Sequence, residues 1–269
     1  MLSLSRPLTD NPLAVFDLET TGLFAQTGDR VCEIAVLRSE PGTAPRMFET
    51  LINPGRDIHP DASAVSGITD AHVRDAPAFA DVVDTVTELM SDAVLVAHNA
   101  PFDVGFLAAE YAVACQPPPA GPVVDTLALA RKHFRFRNNN LFALAREFGV
   151  RPGRSHRAGG DVETTYRVLM QMIQRLSSRF PTAASLIASH APSVDDAWDP
   201  RPRHLPMPLQ AAIDRRAPVT ICYTDAAGRS SERTVEPLWA NDDYLIAYCR
   251  SKKGQRTFRL DRIQDAWLS

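Results

Sequence analysis

The 269-residue chain has few cysteines and no long apolar run. Its four cysteines are scattered, and no two share a C-x-x-C spacing, which favours free thiols in a reducing compartment over zinc ligands or disulfides. No apolar stretch approaches the roughly 20 residues that a membrane helix needs, and the N-terminus lacks the basic-then-apolar pattern of a signal peptide. These absences predict a cytoplasmic protein without a membrane partner.

The chain has no excess of positive charge, since 32 acidic residues slightly outnumber 29 basic ones. The net charge of -3 argues against a protein that coats nucleic acid with its whole surface. Between residues 131 and 157, however, there are eight basic residues and only one acidic residue, Glu147. The basic residues are Arg131, Lys132, Arg135, Arg137, Arg146, Arg151, Arg154 and Arg157. This segment is either a phosphate-facing patch or a solvated helix-and-loop surface.

The first two thirds of the chain combine short apolar strands with helical patterns. Strands are predicted at Leu13 to Leu18, Val31 to Arg38, Met47 to Ile52 and Ala93 to Ala97. Helices are predicted at 78–90, 101–114, 125–133, 141–148 and 161–176. Three consecutive strands followed by alternating helices and strands predict an α/β domain over residues 1–180, with a central mixed sheet and flanking helices.

The remainder of the chain has a different pattern. Residues 190–208 carry five prolines and little periodicity, so 181–210 are predicted to form a helix and a proline-rich linker. Four short strand patterns follow, at 219–223, 233–238, 244–249 and 256–260, separated by DAAG, NDD and SKKG turns. A small all-β domain is therefore expected over residues 211–269.

Two carboxylates at the end of the first strand pose an electrostatic problem. Asp17 and Glu19 lie two positions apart, so they point to the same face of a strand and repel each other. Two more acids begin predicted helices. Asp103 follows the strand AVLVA, and Asp161 opens a long helix five positions after His156. Taken separately, these two acids could be ordinary N-terminal helix residues and His156 a loop histidine.

Taken together, the five residues suggest a reaction. Four carboxylates form the all-oxygen ligand set that hard divalent cations accept. Two such cations can stabilise the attacking and the leaving oxygen of a phosphoryl displacement, and a neutral histidine can take a proton from the attacking water. The residues therefore predict metal-assisted phosphodiester hydrolysis.

Three motifs, DLETTG, HNAPFD and HRAGGD, resemble in order those of the DnaQ-like (DNA polymerase III epsilon-like) DEDDh family of 3'-to-5' exonucleases. The resemblance covers about residues 10–178 and implies a ribonuclease H-like fold. It implies that Asp17, Glu19, Asp103 and Asp161 bind two Mg2+ or Mn2+ ions, with His156 as the general base. The implied reaction releases 5'-nucleoside monophosphates from a 3' end, with single-stranded DNA favoured and RNA as the alternative.

The same resemblance assigns six residues to the terminal nucleotide. Thr20, Thr21 and Gly22 are expected to approach it through backbone and hydroxyl groups, and His98, Asn99 and Phe102 to line its sugar and base. For Phe102, ordinary packing between helix and sheet is the alternative to stacking on a base.

The C-terminal segment resembles a WYL domain, a small SH3/Sm-like β-barrel module. The matching features include Ile221-x-Tyr223, Arg233-x-x-Glu236-Pro237 and Phe258-Arg259-Leu260, whereas Asp243 replaces the tryptophan of the name. The resemblance implies a nucleic-acid or nucleotide ligand, carried here to Arg233, Arg256, Arg259 and Arg262. Surface ion pairs with Glu236, Asp242 and Asp261 are the alternative.

Two other functions remain open on the sequence. The chain could be a catalytically idle nucleic-acid-binding or regulatory protein that keeps the exonuclease fold, or it could trim RNA. Replication, proofreading and repair are not distinguished, and no segment indicates a polymerase partner.

Overall fold

The computed structural model describes residues 2–25, 28–153, 156–190, 205–215, 217–225, 228–240, 244–252 and 254–268. These residues fall into two compact units. The first comprises the described residues of 2–22, 30–107 and 119–190, and the second comprises those of 23–29, 108–118 and 205–268. Most of the predicted proline-rich linker, residues 191–204, lies outside the described residues, as do Arg154 and Asp243. No helix in the described ranges is long and apolar enough to cross a membrane.

The first unit is built on a mixed five-stranded sheet. Its strands are β1 (Leu13–Thr20), β2 (Val31–Ser39), β3 (Arg46–Leu51), β4 (Val94–Ala97) and β5 (Val123–Asp125), in the order β3-β2-β1-β4-β5. β2 pairs antiparallel with β1 and β3, whereas β4 runs parallel to β1 and β5. All four residues of β4 are buried, which fits a central strand covered on both faces.

Helices accompany this sheet. They are α1 (Pro60–Ser66), α2 (Asp70–Val73), α3 (Phe79–Met90), α4 (Ala100–Val113), α5 (Thr126–His133), α6 (Leu141–Glu147), α7 (Ala158–Leu176) and α8 (Ala183–Ala188). Val162, Leu169 and Met172 of α7 are fully buried in one core with Val15 of β1 and Val96 of β4. The longest helix, α7, therefore packs against the middle of the sheet, and this packing fixes where the first turn of α7 lies.

The predicted mixed α/β sheet with flanking helices is confirmed, and three elements were missed. β5 has only three residues, too few for a periodic pattern. α1 and α2 are short, and each buries one residue, Ser66 or Val73. α7 begins at Ala158, three residues before the predicted start, because the Ala158 backbone N–H is bonded to a buried glutamate of β2.

The second unit contains an antiparallel sheet and one helix from the C-terminal segment. The helix is α9 (Met207–Arg215), and the strands are β6 (Val219–Thr224), β7 (Ser230–Ala240), β8 (Tyr244–Cys249), β9 (Gly254–Arg259) and β10 (Ile263–Leu268). Leu209 and Ala212 of α9 share a buried core with Val219, Val235 and Phe258. α9 begins inside the predicted linker, since proline is tolerated in a helical first turn.

The strand order of this sheet is β10-β6-β7-β8-β9. β10 was not predicted, whereas the four predicted strands are present. Within the described residues the edge strands β9 and β10 do not pair, so a closed SH3/Sm-like barrel stays a prediction.

Candidate active site

Three of the predicted site carboxylates converge at one end of β1. Asp17 and Glu19 project from β1, and Asp161 lies in the first turn of α7. One oxygen from each of the three lies within 4.8 Å of the others. The packing of α7 on the sheet thus brings together two segments that are separated by more than 140 residues in the chain.

Asp103 lies beside this trio but outside it. Its side chain is 3% exposed at the start of α4, and its Oδ1 accepts a hydrogen bond of 3.2 Å from the Leu18 backbone N–H. After burial, the Asp103 charge is the strongest influence on the pKa of Asp17. The fourth predicted carboxylate is therefore close to Asp17, and its role as a cation ligand stays a prediction.

The acids of this cluster hold their protons more tightly than isolated acids do. Burial, followed by the charges of Asp103, Asp161, Glu19 and Glu33, raises the pKa of Asp17 well above its usual value. Burial, with the charges of Asp161 and Glu33, raises the pKa of Glu19 to about 7. Burial raises the pKa of Asp161 to about 6. Full ionisation at neutral pH therefore requires a compensating positive charge.

The residues fit a divalent cation. The Oδ1 atom of Asp161 is buried and has no hydrogen-bond partner in the described part of the chain. A buried carboxylate oxygen without a donor is costly unless a cation meets it. Carboxylate oxygens are the ligands that Mg2+ and Mn2+ prefer. The cluster therefore has both the ligand type and the unmet charge of a metal site.

His156 lies next to Asp161 and is exposed. Its charge, and a hydrogen bond from its backbone, both act to lower the pKa of Asp161. The ring centroid of His156 lies 5.9 Å from that of Phe142. Its backbone has φ +54°, the left-handed region that non-glycine residues rarely adopt. The turn that carries His156 thus lies beside Asp161 at the start of α7, and the role of His156 as general base stays a prediction.

Sequence reasoning missed a buried ion pair at the base of the site. Glu33 of β2 is directly opposite Glu19 in the β1–β2 register, and its side chain is 1% exposed. Arg157 donates to both Glu33 oxygens from Nε, at 2.9 and 3.1 Å, and also from Nη2. The Ala158 N–H donates to Glu33 Oε2 at 2.9 Å. The signal available was an acid inside the otherwise apolar run VCEIAVL.

Glu33 and Arg157 connect the sheet to the part of the chain that carries the catalytic candidates. The pair fastens the start of α7 to β2, between His156 and Asp161. The Arg157 charge also lowers the pKa of Glu19. A Cβ at position 159 would meet the Glu49 carboxylate of β3, the flexible end of a side chain that is 43% exposed.

The threonines predicted to contact a nucleotide already make several internal bonds. Thr20 Oγ1 donates to the Gly22 carbonyl at 2.6 Å. The Thr21 N–H donates to the Arg30 carbonyl, and Thr21 Oγ1 accepts from the Arg30 N–H at 3.0 Å. These bonds shape the turn that follows β1, and the nucleotide contact of Thr20, Thr21 and Gly22 stays a prediction.

The HNAPFD motif forms the junction of β4 and α4. His98 Nδ1 lies 2.9 Å from Thr126 Oγ1, and the Asn99 N–H donates to Asp125 Oδ1 at 3.0 Å. Asn99 is exposed and has φ +72°. The ring centroid of the half-buried Phe102 lies 4.9 Å from that of Phe106, one turn further along α4. Contacts of His98, Asn99 and Phe102 with a nucleotide stay predictions.

A mixed sheet with three carboxylates that converge at the end of its first strand offers the ligands that metal-dependent phosphodiester hydrolysis needs. The family model described as "Exonuclease" (RNase T) matches residues 14–169, and the "WYL domain" model matches residues 205–268. The chain belongs to the exonuclease family and carries a WYL domain. The recognition made from the three motifs and the C-terminal pattern is therefore confirmed.

Known proteins agree with this assignment. "DNA polymerase III PolC-type" of Streptococcus pneumoniae (strain D39) is 36% identical over 173 residues, which are 64% of this chain and 12% of the polymerase. The same polymerase from Bacillus subtilis is 37% identical over 171 residues, 63% of this chain and 12% of the polymerase. The chain thus spans about an eighth of the length of these curated relatives.

Among solved structures, "Exonuclease X in complex with 5' overhanging duplex DNA" matches with a TM-score of 0.54 and 28% identity. The match covers 66% of this chain and 99% of that chain. It bears out the ribonuclease H-like exonuclease fold of the first unit.

The arginines singled out in the WYL domain have mixed surroundings. Arg259 forms the expected ion pair with Asp261 at 2.7 Å, whereas Glu236 pairs with Arg250. Arg233 lies 5.6 Å over the Tyr223 ring and 5.8 Å over the Phe258 ring. Asp242, a third expected partner, lies outside the described residues. A ligand for Arg233, Arg256, Arg259 and Arg262 stays a prediction.

Proposed function

We propose that the chain is a metal-dependent 3'-to-5' exonuclease that releases 5'-nucleoside monophosphates from nucleic-acid strands. The observation that carries the proposal is the convergence of Asp17, Glu19 and Asp161 oxygens within 4.8 Å of one another, in a chain of the exonuclease family. Asp103 completes the set of four acids. DNA is the favoured substrate, since the structural relative Exonuclease X is described in complex with 5' overhanging duplex DNA, and the family resemblance favours single-stranded ends.

The five candidate residues have separate roles in the proposed hydrolysis. Hydrolysis forms a bond from a water oxygen to the phosphorus of the terminal nucleotide and breaks the bond from that phosphorus to the 3' oxygen of the preceding nucleotide. His156 accepts the proton of the water, and the 3' oxygen leaves with a proton taken from solvent. Asp17, Glu19, Asp103 and Asp161 would hold two Mg2+ or Mn2+ ions, which supply positive charge for the attacking and leaving oxygens.

Nucleotide release from end-labelled strands tests both polarity and chemistry. With Mg2+ or Mn2+ and a 12-nucleotide DNA strand, a 3'-terminal label should leave first as a mononucleotide, and a 5' label should yield a descending ladder. Asp17→Ala should abolish release, because it removes one of the converging carboxylates. Asp84→Ala, the same change on the exposed face of α3, should not.

Three results would count against the proposal. They are full activity of Asp17→Ala, turnover that persists in EDTA, and a 5' label that leaves first. A wild-type chain that binds strands but releases nothing in either metal would favour the idle binding protein instead.

The WYL domain is proposed to add nucleic-acid contacts or a nucleotide ligand to the enzyme. Truncation tests this, and the structure dictates where to cut. Ala183, Leu186 and Ile187 of α8 are buried in the core of the first unit, so the cut belongs after His190. Weaker strand binding and a smaller salt dependence after truncation support the contact. Equal binding with identical salt dependence refutes it.

A further inference from the structure

A polar cavity of about 420 Å³ lies in the first unit, within the size range of small-ligand sites. It is lined by His98, Asn99, Leu127, Arg131, Arg137, Asn138, Asn139 and Asn140. Its walls follow the carboxyl ends of β4 and β5, which run parallel to β1. Val15 pairs with Val96, and continuing this register places Asp17 level with His98. The cavity therefore opens at the same edge of the sheet as the carboxylate cluster.

The charge of this cavity is opposite to that of the cluster. Two guanidinium groups, from Arg131 of α5 and Arg137 of the loop before α6, line it. None of its described lining residues is acidic, and the one carboxylate bonded to them is that of Asp125, whose Oδ1 accepts from the Asn99 and Leu127 backbone N–H groups. Neither guanidinium makes a hydrogen bond or an ion pair with the part of the chain that the structure describes. Both are therefore available to an anion, and guanidinium groups match phosphate geometry.

The remaining walls are held in place. His98 is fixed by Thr126 Oγ1, and burial lowers its pKa to about 4, so it is neutral and adds no charge. Asn140 caps α6 through the Ala143 N–H at 2.8 Å, and Asn138 Oδ1 accepts from the Asn140 N–H at 3.0 Å. A binding site gains from walls that are ordered before the ligand arrives.

One wall residue has an unmet polar atom. The side-chain oxygen of Asn139 is buried and has no hydrogen-bond partner within the described ranges. Rotating the Asn139 side-chain amide by 180° would exchange its oxygen for the NH2 group, which carries two N–H donors. Buried polar atoms are normally paired, so Asn139 is a wall residue whose hydrogen-bonding capacity the described chain does not satisfy.

We infer that this cavity binds the backbone phosphates of the substrate strand on the 5' side of the scissile bond, through Arg131 and Arg137. The inference rests on the proposed exonuclease function and specifies where the strand runs. It separates the basic segment of residues 131–157 into two sets. Arg131 and Arg137 contact phosphate, whereas Arg146, which is exposed on α6, does not line the cavity. The contact is to the backbone, so DNA and RNA strands use it alike.

Two substrates of different length test the inference. Arg131→Gln and Arg137→Gln should each raise KM for a 12-nucleotide strand about tenfold, the loss expected for one charged hydrogen-bonded contact, with kcat unchanged. The p-nitrophenyl ester of thymidine 5'-monophosphate has no phosphate on the 5' side of its scissile bond, so neither arginine has a phosphate to bind and its hydrolysis should not change. Arg146→Gln removes the same charge and should affect neither substrate.

Salt dependence adds a second readout. For single strands, each lost phosphate contact should reduce the slope of log K against log salt by about 0.7. This is measured by fluorescence anisotropy of a labelled 12-nucleotide strand in EDTA, where turnover is blocked. Both arginine variants should show the smaller slope, and Arg146→Gln should keep the wild-type slope.

The results separate this inference from the proposed function. An unchanged KM and slope in both arginine variants overturn the phosphate site, as does an equal effect of Arg146→Gln or a parallel loss on the short ester. If the wild type releases no nucleotide but the arginine variants lose strand affinity and slope in EDTA, the exonuclease proposal fails and the phosphate site stands.

Discussion

Arg157→Gln is the substitution that tests how the site is assembled. It removes the cationic partner of Glu33, whose side chain is 1% exposed. Among the described residues, the Ala158 backbone N–H then remains as the donor to the Glu33 carboxylate. Removing one partner of a buried ion pair costs about 3–5 kcal/mol. Because the Arg157 side chain is 26% exposed, water replaces part of the lost interaction, and we expect the lower end, about 3 kcal/mol.

Hydrogen exchange of the full chain, followed by mass spectrometry, measures this loss locally. A loss of about 3 kcal/mol corresponds to exchange about a hundredfold faster for amides whose protection depends on the pair, in the first turn of α7 and in β2. Arg167→Gln is the matched control. Arg167 pairs with Glu163 on the same helix, but both side chains are nearly half exposed, so the expected cost is below about 1 kcal/mol.

The double variant Glu33→Gln/Arg157→Gln completes the test. It removes the uncompensated buried charge as well, so protection should recover in part relative to Arg157→Gln alone. Exchange in Arg157→Gln that matches the wild type or the Arg167→Gln control would refute the role assigned to the pair. Additive losses in the double variant would refute the coupling between Glu33 and Arg157.

Three further outcomes are expected. His156→Ala should lower kcat by about 10²–10⁴-fold while calorimetry shows Mn2+ binding nearly unchanged, because the proton acceptor is lost and the carboxylates remain. Folding raises the pKa of Glu19 from 4.5 to about 7, so the metal-free chain should lose stability as pH rises from 4.5 to 7. The Tm of the metal-free chain should therefore be lower at pH 8 than at pH 6, and Mn2+ should make this difference smaller. For the same reason, Mn2+ binding at pH 6 should release protons, detectable by calorimetry in buffers of different ionisation enthalpy. Two results would contradict this account of the carboxylates. One is a Tm difference between pH 6 and pH 8 that is the same with and without Mn2+, and the other is Mn2+ binding without proton release.

The apolar strands were predictable because they carry their own signal. Leu13 to Leu18 and Ala93 to Ala97 form buried strands, as their composition indicates. The converging acids Asp17, Glu19 and Asp161 could be singled out because the motifs place an acid at a strand end or a helix start, and the fold then brings β1 and α7 together. The roles of the predicted site residues stay predictions. The resemblance of these motifs to a family supplied the reaction, which no local pattern alone would identify.

The missed features depend on contacts between distant segments. Glu33 looks like a single acid in an apolar strand until α7 packs against β2 and brings Arg157 to it. The internal bonds of Thr21 depend on Arg30, nine positions away, which is beyond the reach of a turn pattern. Likewise, the basic segment of residues 131–157 did not indicate which arginines share a cavity, since that follows from the loop between α5 and α6.

Anomalous diffraction from crystals soaked in Mn2+ would locate the cations directly. We expect two manganese peaks coordinated by carboxylates from Asp17, Glu19, Asp103 and Asp161, and their loss in Asp17→Ala crystals that keep the same fold. If crystals soaked in saturating Mn2+ show no anomalous peak at these four carboxylates, the metal-dependent mechanism is contradicted.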